Sequence, residues 1–500
     1  MRPWRNRRIA AGSLYFGLCF VTSMSANAGP LPERVEKAAQ ERVAAGTYQT
    51  LVFGVVDGAQ SEVVVFGRLD NGKAPDRDTV YEIGSITKTL TATLLAKAAP
   101  SGRVTLDTAV AQLLPEFKIP SRRGKEITLR HLATQYSGLP RLPSNFAPKD
   151  PSNPYADYGA ANLKAFLADY ELPRDPGAAY EYSNLGFGLL GYALAQSDHT
   201  TYDAMTDAEL LKPLGMTMSG TVLTDTMRAH LAPGHDDTGK AANNWDFDAL
   251  AGAGAIRSTA NDMLRYLKAN MDIDQSALTA AMKLAQQPRR DIDDKIRIGL
   301  AWMTTDKGVV WHSGMTGGYS SFIGFTADGR RGVVILANTA ADADDLGFAT
   351  LDADAPMTPV HKAIVLPIAS LDEYVGTYQL KLADNFFLQV FRMDDGLFAR
   401  ATGQDAFPIF PSAANEFFAK VAGISISFKR DPKGVVNGLV LHQNGDHEAP
   451  KLNASELPPE LREIALDAAA LGEYVGKYRF SFGILDVALK SGYLEAQLTG

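Results

Sequence analysis

The sequence predicts an α+β domain, one mainly antiparallel sheet flanked by helices, followed by antiparallel β-barrel repeats. Three observations carry this expectation. Between about residues 31 and 339, strand-like segments stand at both ends and helix-like segments fill the middle, so a single sheet completed from both ends is the simplest arrangement. A stretch rich in proline and alanine follows, DADAPMTPVHKAIVLPIAS. Beyond it lies an internal repeat: LDEYVGTYQL at 371–380 returns as LGEYVGKYRF at 471–480, and DGLFARATG is echoed by SGYLEAQLTG.

In chain order, TLVFGVVDG and SEVVVFGRL read as two antiparallel strands joined by a polar turn. SITKTLTATLLAKAAP has helix-forming composition and ends at Pro100. GVVWHSG and SSFIGFTADGRRGVVILANT read as three further strands, the last two joined at Asp328-Gly329. Each repeat unit shows short alternating strands with frequent turn residues, the pattern of a small barrel. The second copy reaches Gly500 after half a barrel, which leaves an open strand edge, and this predicts that the natural chain continues. The expected boundaries are 1–28 signal peptide, 29–340 catalytic domain, 341–370 linker, 371–455 first barrel repeat and 466–500 the start of a second.

A chain of 500 residues exceeds one ordinary core. Its 46% hydrophobic and 21% charged residues exclude a disordered chain. After the first 30 residues no apolar stretch is long enough to span a membrane. Those first residues hold four arginines, an apolar run from Ile9 to about Val21 and the small-residue pattern Ala26-Asn27-Ala28, which predicts a secretory signal cleaved after about Ala28 and a periplasmic or secreted protein. Cys19, the single cysteine, leaves with that signal, so no disulfide or thiolate metal site is expected. Loss of the four arginines leaves 45 basic against 57 acidic side chains, a balance that argues against nucleic acid and anionic membranes as partners. A small molecule or short peptide is the expected substrate.

Ser85-Ile86-Thr87-Lys88 is the first candidate for chemistry. Serine becomes a nucleophile when a base takes its proton, and lysine serves as that base when burial lowers its pKa. Spacing of three on a helix puts both on one face. A serine at a helix start is equally suited to be an N-cap, and the tetrad alone leaves both readings open. Gly186–Gly191, GFGLLG, matches a dinucleotide fingerprint, but no strand precedes it, so its glycines are read as close helix packing. No G-x-S-x-G elbow occurs. The eight histidines show no metal-ligand spacing, and His131 is read as a packing residue, so neither metal nor cofactor is expected.

Two further stretches supply context: YEYSNLGFG with Tyr182-x-Asn184, and WHSGMTGGYSS with His312-Ser313-Gly314. With S-x-x-K, in this order, they resemble the penicillin-recognising serine hydrolases, and YEIGSITKTLTATLLA, LDTAVAQLLPEF, ITLRHLATQYSGLP, KPLGM and HSGMTGGYSSFIGFTADGRRGVVILAN resemble landmarks of the class C β-lactamase branch. The resemblance covers roughly Leu31 to Thr339. It implies the serine β-lactamase/transpeptidase-like fold, Ser85 as acylated nucleophile and Lys88 as base. It implies too that Tyr182 shares proton transfer, that Asn184, His312, Ser313 and Gly314 bind substrate, and that the Ser85 and Met315 amides form the oxyanion hole. Histidine stands where β-lactamases of this branch carry lysine. Related D-alanyl peptidases, D-aminopeptidases and esterases often have histidine there, so a peptide or ester substrate is as plausible as a β-lactam. An unperturbed histidine titrates near 6.5, which predicts pH-dependent carboxylate anchoring. The C-terminal repeats resemble lipocalin-like barrels appended to some D-aminopeptidases. The rival reading is a penicillin-binding sensor or scaffold that is acylated but barely turns over, with the barrels as partner-binding modules.

Overall fold

The computed structural model describes residues 31–58, 60–100, 102–359, 362–381, 386–393, 396–402, 406–420, 424–443, 445–457, 468–480, 483–490 and 493–499. The expected signal segment lies outside them. An eight-stranded antiparallel sheet runs in the order Gln60–Gly67, Thr50–Asp57, Arg331–Ala337, Ser320–Phe325, Val310–Met315, Met303–Thr305, Ile296–Ile298, Arg290–Asp291. The first strands of the domain thus pair with the last, with Phe53 opposite Ile335.

Both faces of the sheet are covered, which is why its strands read as nearly continuous hydrophobic runs. Val52, Val56, Ile323, Val334 and Leu336 point into the core that holds the helix Thr87–Ala98. The alternate residues Leu51, Phe53, Val55, Phe322, Val333 and Ile335 point into a second core with the helices Glu33–Ala44 and Asp344–Leu351.

The helix Thr87–Ala98 is buried almost throughout despite four threonines. Each hydroxyl has a partner: Thr89 donates to Ile86 O at 2.8 Å, Thr91 to Thr87 O at 3.2 Å and Thr93 to Thr89 O at 2.9 Å, while Thr87 Oγ1 accepts from Ile256 N at 3.2 Å. The glycines of GFGLLG lie in the helix Asn184–Ser197, where a Cβ on Gly188 or Gly191 would fall 2.8 Å from Leu250 Cα or 2.9 Å from Gly252 Cα. His131 caps a short helix, its Nδ1 accepting from Thr128 N at 3.2 Å.

The stretch 352–359 is fastened to the same body. Arg42 pairs with Asp345 and donates to Thr358 O at 2.9 Å, while Arg34 donates to Ala355 O at 3.1 Å. Eight antiparallel strands from Gly376–Gln379 to Asp446–Pro450 then form a barrel in sequential order. Leu452 N donates to Thr377 O at 2.8 Å and Tyr378 bridges Lys451, which nearly closes it. A three-stranded sheet occupies Gly476–Phe480, Gly483–Lys490 and Tyr493–Thr499. No helix among the described residues is long and apolar enough to cross a membrane.

Candidate active site

Ser85 sits in the 3-10 turn Gly84–Ile86 between the strand Val80–Glu82 and the helix Thr87–Ala98. It is not the helix cap: that position falls to Ile86, without a side-chain cap bond. Instead Ser85 Oγ lies 2.8 Å from Lys88 Nζ and accepts from Tyr182 OH at 2.8 Å. The N-cap alternative is therefore set aside by the side-chain partners.

Lys88 is fully buried, donates to Ala253 O at 2.7 Å and lies 5.0 Å from the centre of the Tyr182 ring. Burial, aided by the positive charge of Arg141, pushes its pKa well below the ordinary lysine range. No carboxylate among the described residues bonds to it, so burial shifts the balance toward the neutral amine, the form whose lone pair can take a proton. Tyr182 moves the other way. Burial raises its pKa to about 12, partly offset by the bond to Ser85 and by Arg141, so it stands as a neutral phenol that donates to Ser85.

The strand Val310–Met315 brings the second wall. Positive φ at Gly84 (47°) is compatible with glycine, and a Cβ there would fall 2.7 Å from Met315 N. A Cβ on Gly314 would fall 2.1 Å from Ile83 O and 2.9 Å from Ser85 N. The two glycines let the nucleophile turn and the strand approach closely, Met315 N lying beside Gly84 and Ser85 N beside Gly314. Glu82 ties this turn to the opposite loop, accepting from Trp245 N at 2.8 Å and Asn244 Nδ2 at 3.2 Å beside Arg257 at 3.5 Å.

His312 is 3% exposed and Nδ1–H donates to Ser313 O at 2.6 Å. Burial, then the charge on Lys88, pushes its pKa down to about 3. This differs from the titration near 6.5 that the residue type predicts, because the ring is walled from water. Ser313 lies on the opposite face of the strand from His312 and its hydroxyl bonds the carboxyl of Asp344. Asn184 donates to Tyr155 OH at 3.3 Å, and its buried Oδ1 has no partner among the described residues, which leaves an acceptor open for an N–H. The structure thus gathers Ser85, Lys88, Tyr182, His312, Gly314 and Met315 around the nucleophile turn, and turns the Ser313 side chain to the opposite face of the strand.

Sequence reasoning missed Arg141, Tyr155 and the Ala253 carbonyl. Tyr155 stacks on Phe247 at 4.5 Å and sits beside Trp245 at 5.3 Å, forming the aromatic wall behind Asn184. None of the three carries a local spacing signal.

The fold and site together define a serine hydrolase. The chain belongs to the Beta-lactamase family, whose profile matches residues 35–355. A domain of unknown function matches residues 361–456. Protein flp of Staphylococcus aureus (strain COL) is 28% identical over 276 residues, 52% of this chain and 53% of that protein, so the chain spans about half the length of this curated relative. D-alanyl-D-alanine-carboxypeptidase/endopeptidase AmpH of Escherichia coli (strain K12) is 28% identical over 303 residues, 56% of this chain and 77% of that protein. The fold is shared with a class C beta-lactamase (TM-score 0.57, 22% identity, 65% of this chain and 96% of that one). It is shared also with a D-alanine carboxypeptidase AmpC from Burkholderia cenocepacia (TM-score 0.53, 23% identity, 63% and 98%).

Proposed function

We propose that the chain is an exported serine hydrolase that works through an acyl-enzyme at Ser85 on D-amino peptides, amides, esters or β-lactams. The observation that carries this reading is the placement of Ser85 Oγ 2.8 Å from both Lys88 Nζ and Tyr182 OH, in buried surroundings that push the lysine pKa well down. Lys88 accepts the hydroxyl proton as Oγ attacks the carbonyl carbon, and the Ser85 and Met315 amides receive the developing oxyanion. The proton passes from Lys88 by way of Tyr182 to the departing nitrogen or oxygen as its bond to carbon breaks. Water then attacks the ester on Ser85 with the same groups acting in reverse. The open acceptor Asn184 Oδ1 suits a substrate amide N–H.

The names of the relatives, a carboxypeptidase/endopeptidase and β-lactamases, support this substrate range without choosing within it. Export is supported by the arginine-rich, apolar N-terminal segment. The test is a panel of D-amino amides, D-alanyl peptides, short acyl esters and a chromogenic cephalosporin, run beside a fluorescent penicillin. Turnover of any class with a transient label supports the hydrolase. A label that persists with no turnover replaces it by a penicillin-binding sensor, and no labelling or turnover at all refutes both.

A further inference from the structure

We propose that Arg141 reads a negative charge on the substrate, so that the Ser85 site prefers acyl donors carrying a carboxylate on the Tyr182 side of the cleft. The inference rests on the hydrolase reading and narrows its substrate class. It starts from a missing charge. The position where the related β-lactamases hold a lysine is His312, buried and uncharged, and Lys88 is fully buried, where a charge is disfavoured. The strand Val310–Met315 therefore offers no cation to a substrate.

Arg141 supplies one beside Tyr182. Its guanidinium carbon lies 5.2 Å from the centre of the Tyr182 ring, whose hydroxyl is bonded to the nucleophile. Its backbone is fixed, because Arg141 O accepts from Asn184 N at 3.0 Å and Leu185 N at 3.2 Å at the start of the helix Asn184–Ser197. The residue is exposed, and its guanidinium makes no ion pair among the described residues. Several other arginines are neutralised, Arg103 by Asp198 and Glu209, Arg130 by Asp107 and Arg257 by Asp246. Glu181, the acid next to Tyr182 in sequence, is already taken by Arg174. The uncompensated charge is felt at Lys88, Tyr182, Tyr155 and Tyr180, all of which it drives toward lower pKa.

A planar guanidinium held over an aromatic ring keeps its N–H groups at the ring's edge, where a carboxylate can be bound by two parallel hydrogen bonds. An arginine whose only role is to depress the Lys88 pKa would affect every substrate alike. One that binds substrate discriminates by charge.

The experiment uses the full chain with benzylpenicillin and its methyl ester, which differ in that one charge. The second-order rate of Ser85 acylation by each is measured for the wild type, Arg141→Gln, Arg141→Lys and Arg141→Glu. Both reagents sample the same folded fraction, and both see the same shift in Lys88, so misfolding and base tuning cancel in the acid-to-ester ratio. The expected result is a ratio at least tenfold lower in Arg141→Gln, largely kept in Arg141→Lys, and lower still in Arg141→Glu. A ratio within twofold of wild type in the glutamine and glutamate variants overturns the inference while leaving the hydrolase reading intact. Failure of both reagents to acylate the wild type refutes the hydrolase reading, and the inference with it.

Discussion

Replacing His312 by glutamine tests whether the buried imidazole is neutral, and the effect can be worked out before the experiment. In the folded chain burial holds the ring pKa at about 3, whereas in the unfolded chain it returns to roughly 6.5. As pH falls below about 6.5 the unfolded chain therefore binds a proton that the folded chain refuses, and unfolding is favoured. The stability is fully present above the unfolded pKa and is lost progressively down to the folded one. At about 1.4 kcal/mol per pH unit, the loss attributable to this one ring is about 2 kcal/mol at pH 5. Urea unfolding followed by tryptophan fluorescence, with Trp311 adjacent in the strand, measures it at pH 7.5 and pH 5. The wild-type catalytic domain should lose about 2 kcal/mol more than His312→Gln over that interval. Equal losses, within roughly 0.5 kcal/mol, would show a ring that titrates normally in the folded state, and the argument from burial would fail. The same neutrality means that between pH 5 and 8 His312 contributes no change in the preference for acidic over neutral substrates.

Three further outcomes follow from the geometry. Lys88→Arg should acylate as poorly as Lys88→Ala, several orders of magnitude below wild type in stopped-flow or labelling assays, because arginine does not release its proton near neutral pH; an active arginine variant would move the base role to Tyr182. Gly314→Ala should abolish acylation, since its Cβ would fall 2.1 Å from Ile83 O and 2.9 Å from Ser85 N and must push apart the Ser85 and Met315 amides of the proposed oxyanion hole; near-normal kcat/KM in this variant would remove Met315 N from that proposal. A chain truncated after Pro359 should remain soluble and react with a penicillin probe, because Thr358 and Ala355 are bonded to the catalytic body, and barrel residues Phe418, Ala419, Lys420 and Gln443 line a cavity of about 790 Å³ that includes none of Ser85, Lys88, Tyr182 or His312. Insoluble or unlabelled protein would make the barrel part of the catalytic unit.

Much of the site is legible in the sequence because its parts are local. Ser85 and Lys88 are one helical turn apart, Tyr182 and Asn184 flank a helix start, and His312 to Met315 form a single short strand. The sheet is legible for a related reason: hydrophobic runs mark strands buried on both faces, and their position at both ends of the domain fixes which must pair. What escapes is set at long range. A nucleophile and an N-cap both want serine at a helix start, and the partners of Ser85 Oγ, one of them 97 residues away, decide between them. Arg141 stands in the unremarkable stretch GLPRLP and gains meaning when the fold lays it over Tyr182. His312 looks like a titrating residue by type and becomes a neutral one by burial. Ser313, next to it, is aimed at Asp344 by strand alternation, a consequence of register that the motif does not announce.

The central claim is that Ser85 forms a covalent acyl-enzyme, and its most direct measurement is the mass of the peptide Asp78–Lys88 after brief exposure to benzylpenicillin and acid quench. That tryptic peptide contains Ser85 as its only serine. The wild type should carry one penicilloyl addition on Ser85 and nowhere else. Ser85→Ala should carry none and keep its melting temperature within a few degrees, since Ser85 caps no helix and a lost cap is worth only about 1 kcal/mol. An addition at another residue, or an alanine variant that still labels, would contradict the account.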